Sequence, residues 1–96
     1  MFPEIRDFVY PTREEANLHN KLLQAAFLNK GFLGVDEYYE LMDVAPIPEE
    51  AHWYFWPDQS YFLFGRDEQG YHVKALDPIK VNEDNNEEDK NEQSGN

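Results

Sequence analysis

From Asn82 to Asn96 the chain reads NEDNNEEDKNEQSGN, with six carboxylates (Glu83, Asp84, Glu87, Glu88, Asp89, Glu92), Lys90 and no apolar side chain. A segment of this kind cannot bury enough apolar surface to offset its ordering entropy. It is therefore expected to be a disordered acidic tail, and only residues 1–81 are expected to fold. Roughly eighty residues support one small domain with a modest core. The high aromatic content, 16%, helps at that size because each ring buries a large area.

The acidity is not confined to the tail. The whole chain carries twenty carboxylates against eight Lys and Arg, a formal net charge of -12. Removing residues 82–96 leaves fourteen acidic and seven basic residues, so the body alone stands at 14 minus 7, about seven negative units. Such a body repels a phosphate backbone, whereas nucleic-acid affinity ordinarily comes from Lys and Arg releasing counterions. Direct nucleic-acid binding is not expected. The chain has no cysteine, hence no disulfide, thiolate nucleophile or Cys-type zinc site. The opening MFPEIRDF lacks the apolar run of a secretory signal, and no stretch is apolar enough to span a bilayer. A cytoplasmic protein without membrane contact is the expectation.

Thr12 followed by Glu15 has capping-box spacing, and Ala16, Leu22, Leu23, Ala26 and Phe27 recur at helical intervals before Gly31. The spacing predicts a helix over about 13–29, with Tyr10 as a staple against Ala16. Phe32 and Leu33 read as a connector. VDEYYELMDV then predicts a second, shorter helix with Val35, Tyr38, Leu41 and Met42 on its apolar face, ended by Pro46 and Pro48. HWYFW, SYFLF and YHVKAL suit strands, the last two joined as a hairpin across a polar loop from Phe64 to Tyr71, and Asp77-Pro78 closes the domain. The predicted fold is α+β: two N-terminal helices on a small antiparallel sheet of about three strands. Its outline is that of a winged helix, but the second helix has no Lys or Arg, and only scattered Arg66, Lys74 and Lys80 could meet phosphates.

The segments YPTREEAN, VDEYYELMDV, WYFWPD and GYHVKALDPIKV resemble, over residues 8 to 81, a group of small uncharacterised proteins from phages and prophages of Gram-positive bacteria. Tyr54 and Phe55 stand where that group has a single Gly between two tryptophans, and Asp77 precedes the final proline. The resemblance implies a mobile-element origin and no particular activity.

His19, His52 and His72 lack the paired spacing of a metal site. DNNEED in the tail lacks the glycine and terminal Glu of a calcium loop. Ser60 and Ser94 have no adjacent base, and no phosphate-binding or nucleophile-elbow motif occurs. No catalytic residue, metal or cofactor is expected. The small enzymatic alternative would combine His52 or His72 with nearby carboxylates.

Two binding readings remain. Asp36, Glu40 and Asp43, with Glu37 alongside, step along one side of the second helix at about 5–6 Å per turn, a phosphate-like spacing. Glu14, Glu15, Glu49 and Glu50 could extend the row. A protein of this kind would occupy a basic surface of a host protein, such as the nucleic-acid channel of a defence nuclease or polymerase, as a nucleic-acid mimic. The bland alternative is a solvated helix face. The second reading is a phage assembly or self-associating module using an aromatic strand face with Tyr54 and Trp56 outward, and there the ordinary reading is that both faces are core. A monomer fits the first reading and a small homo-oligomer the second.

Overall fold

The computed structural model describes residues 1–81; the predicted tail, with its calcium-like DNNEED, lies outside the described residues. The fold is α+β, with two helices and two three-stranded antiparallel sheets. Helix α1 runs Arg13–Lys30. Thr12 Oγ1 accepts the Glu15 N–H at 3.3 Å, and Gly31 ends the helix at φ 85, its N–H donating to Phe27 O. Only a residue at ease in the left-handed region fits there. Helix α2, Val35–Leu41, is short, and Glu37 Oε1 accepts the Gly34 N–H at 2.9 Å in the manner of a capping box.

The first sheet has the order β1 (Asp7–Tyr10), β5 (Gly70–Ala75), β4 (Phe62–Asp67). The second has the order β2 (Leu33–Gly34), β3 (Tyr54–Trp56), β6 (Ile79–Lys80). A single sheet of about three strands was expected, and two are found. HWYFW and SYFLF do not pair with each other. Only Tyr54–Trp56 of the first run is a strand, and it pairs with β2 and β6, whereas β4 pairs with β5. His52 and Trp53 close a 3-10 turn, Glu49–Trp53, instead of extending the strand. The Phe32-Leu33 connector contributes β2, and the chain continues past Asp77-Pro78 into β6.

The hairpin joining β4 and β5 is real but tighter than the sequence suggested. Strand pairing continues to Asp67 opposite Gly70, leaving Glu68 and Gln69 as the turn. Asp67 Oδ1 accepts the Gln69 N–H at 2.8 Å and closes it. Gly70 takes φ 139.

Register decides what each face of the first sheet carries, because paired residues share a face. Phe8 opposite Val73, and Phe62 opposite Ala75, face inward against α1 and α2. Lys74, opposite Asp7 on one side and Leu63 on the other, and His72, opposite Val9, face outward together with those partners. Trp56 is at the centre of the core, 0% exposed, with its ring 5.3 Å from Tyr38 and 4.8 Å from Phe62. Its Nε1 donates to Leu76 O at 2.8 Å, tying the two sheets together.

Candidate functional site

The residues singled out in the sequence are only partly brought together. Asp36, Glu37 and Glu40 lie on α2, but Asp43 does not continue their row. The helix stops at Leu41, Met42 caps it, and Asp43 turns the chain at φ 60. Asp is among the few residues that visit this region at modest cost. Glu14 and Glu15 belong to another part of the surface. Ala26 shares the cleft between the two helices with Glu40. Glu15 precedes Ala26 by 26 minus 15, eleven residues, which is about 16 Å of α-helix.

Asp36 and Glu37 are engaged internally. Asp36 Oδ2 lies 3.0 Å from His52 Nδ1. Glu37 pairs with Lys30 at the end of α1. Burial alone would raise the Glu37 carboxyl, but the Lys30 and Gly34 hydrogen bonds outweigh it and hold the group below the ordinary carboxylate range.

What extends the acidic face is Tyr39, which the helical wheel did not single out. Its side chain is buried, and its hydroxyl donates to Glu4 Oε1 at 2.7 Å. Burial, then Glu4 and the negative field of Glu50, push the Tyr39 phenol well above its usual range. The Tyr39 hydrogen bond in turn lowers the Glu4 carboxyl. Carboxylates from two segments therefore converge on Tyr39 of α2: Glu4 from the N-terminal 3-10 turn Pro3–Ile5, and Glu50 from Glu49–Trp53. Glu40, Asp43, Glu49 and Glu50 are exposed. The signal in the sequence was the pair Glu49-Glu50; Glu4 gave none, because its partner is 35 positions away.

A cleft of about 410 Å³ adjoins this face, lined by Phe32, Asp36, Glu37, His52, Tyr54 and Phe55 among others. Tyr54 is half-buried here, and Trp56 is not available to a partner at all. The expectation of an outward Trp56 fails because β2 and β6 flank β3, and α2 covers the face that carries Trp56. Trp53 is the exposed tryptophan, at 45%.

The histidines occupy three different settings. His19 is buried between two hydroxyls, Tyr10 at 2.7 Å from Nδ1 and Tyr38 at 2.6 Å from Nε2. Desolvation lowers its pKa to about 4, so the ring is neutral. Tyr10, expected as a staple on Ala16, packs against the core that includes Ala16 and gives its hydroxyl to His19. His72 lies on the outer face of the first sheet, its Nδ1 2.9 Å from Asp7 and its Nε2 2.9 Å from Asp67. Those two carboxylates raise its pKa despite desolvation. Among the described residues no cluster of three or more His, Asp or Glu could hold a metal ion, and no helix is long and apolar enough to cross a membrane.

Comparison with protein-family models, with curated proteins and with solved structures gave no match. The geometry of the site is therefore the ground for a functional reading.

Proposed function

We propose that this protein is a non-catalytic binding protein that presents the acidic face of α2 and the Glu49–Trp53 turn to a basic surface of a partner protein. The observation that carries this reading is the convergence of Glu4 and Glu50 on the Tyr39 hydroxyl, with the exposed Glu40 at the next position of α2. Two segments distant in sequence bring negative charge to one place on α2, at an electrostatic cost that a merely solvated face would avoid by dispersing it. Basic residues of the body are partly taken up elsewhere, Arg6 by Asp77 and Lys30 by Glu37. The motif resemblance to phage and prophage proteins makes a host protein with a nucleic-acid channel the favoured partner class. The acidic face would then stand in for phosphates, and its field would accelerate association in a salt-dependent way.

The test compares the full chain with a variant carrying Glu40→Gln, Asp43→Asn, Glu49→Gln and Glu50→Gln, both immobilised and exposed to host lysate at low and high salt. The reading expects a protein with a basic surface that is held by the native chain, released by salt and not held by the variant. Equal retention by both chains, or retention indifferent to salt, would refute it.

A further inference from the structure

The cleft beside α2 has a composition that the acidic face alone does not require. Its aromatic wall is Phe32 and Phe55, which meet edge to face at 6.1 Å between centroids, while Tyr54, also at the lining, packs its ring on Phe2. Its polar groups include Asp36, Glu37 and His52, and among the described residues no Lys or Arg lines it. Asp36 receives His52 on Oδ2, and its Oδ1 has no hydrogen bond among the described residues. A volume of about 410 Å³ is room for one or two side chains.

Rings beside carboxylates form a receptor for cations, since a cation over a ring face is drawn to the ring quadrupole while a carboxylate fixes its direction. The chain carries its own instance at the rim. Lys30 Nζ lies 5.0 Å from the centroid of Phe32 and pairs with Glu37, and both of those residues line the cleft. We propose that the cleft receives an arginine side chain of the partner protein, its guanidinium stacked on the aromatic wall and paired with Asp36. An apolar side chain would desolvate Asp36 without compensation, and an acidic one would be repelled. Arginine is favoured over lysine because its planar group stacks and pairs in a fork at the same time. His52, exposed on the surface, is the group that the guanidinium displaces from Asp36.

The proposal takes its partner class from the acidic-face reading, but it is tested separately. The nitrogen-15-labelled full chain is titrated by NMR with the capped tripeptide acetyl-Gly-Arg-Gly-amide, and with its counterpart carrying norleucine in place of arginine. The expected result is that amide shifts concentrate at Gly34, Asp36, His52 and Phe55, with the arginine peptide bound at least about fivefold tighter than the norleucine one. Asp36→Asn should remove that preference while leaving norleucine binding unchanged; retained amide dispersion confirms that this variant is folded. Phe55→Leu should weaken arginine binding as well. Equal binding of the two peptides, or no shift at all, overturns the cleft as an arginine site. Shifts from the arginine peptide confined to Glu40, Asp43, Glu49 and Glu50 also overturn it, while leaving the acidic face standing.

Discussion

His19 Nε2 and the Tyr38 hydroxyl lie 2.6 Å apart, a buried polar link between α1 and α2. With Tyr10 on the other ring nitrogen, a neutral imidazole satisfies one hydroxyl as donor and the other as acceptor. Tyr38→Phe would leave one His19 nitrogen buried without a partner. The expected loss is about 1–3 kcal/mol of unfolding free energy, measured by denaturant titration.

The same pair makes the fold sensitive to acid. Because the folded-state pKa of His19 is lowered to about 4 from an ordinary value of 6.5, the unfolded chain binds the extra proton first as pH falls. The stability it contributes is present above about pH 6.5 and is lost progressively towards pH 4, on the order of 2–3 kcal/mol. Thermal melts of the native chain and of His19→Gln across that range should converge as the pH falls.

His72 behaves in the opposite sense. Its pKa is raised by Asp7 and Asp67, so the folded state holds the proton longer than the unfolded one. The contribution is fully present below about pH 6.5, the ordinary histidine value, and is lost as pH rises through the raised folded value. Asp7 belongs to β1, Asp67 to β4 and His72 to β5, so the clamp holds all three strands of the first sheet. Melts of Asp7→Asn with Asp67→Asn should lose this alkaline decline, whereas the native chain should show it.

Gly70 is a position where the side chain is forbidden by its surroundings. At φ 139, a Cβ there would meet Tyr10 O at 2.4 Å. Gly70→Ala must strain the turn and push β1 from β5, so a loss of about 3 kcal/mol is expected, a fall in Tm of roughly 10 °C or more.

Asp43 separates charge from backbone. At φ 60, Asp43→Asn keeps a residue suited to the left-handed region, and Tm should be unchanged while salt-dependent association slows. Asp43→Val should cost about 1–2 kcal/mol, because a β-branched side chain resists that conformation. Calorimetry on the two variants tests this directly.

Much of the local structure was legible in the sequence. Thr12 and Gly31 mark the ends of α1 because caps act within a turn, and the hairpin follows from local alternation. What the sequence did not disclose depends on distant partners. β1 is four residues whose pairing lies with residues 71–74, and β2 and β6 are two residues each. Trp56 pointed outward in a single-sheet reading and is central once a second sheet surrounds β3. The carboxylate spacing on α2 was readable, but Asp43 leaves the helix and Glu14 and Glu15 lie elsewhere. Glu4 joins the site only through Tyr39.

The central claim is that negative charge on this protein is concentrated for binding at α2 and the Glu49–Trp53 turn. The most direct measurement is an NMR map of the full chain titrated with an arginine-rich decapeptide at physiological salt. The account predicts that perturbations gather at Glu4, Glu40, Asp43, Glu49 and Glu50 and that Glu14, Glu15, Asp58 and Glu68, which are likewise exposed carboxylates, stay still. Perturbations spread over all exposed carboxylates alike would contradict it.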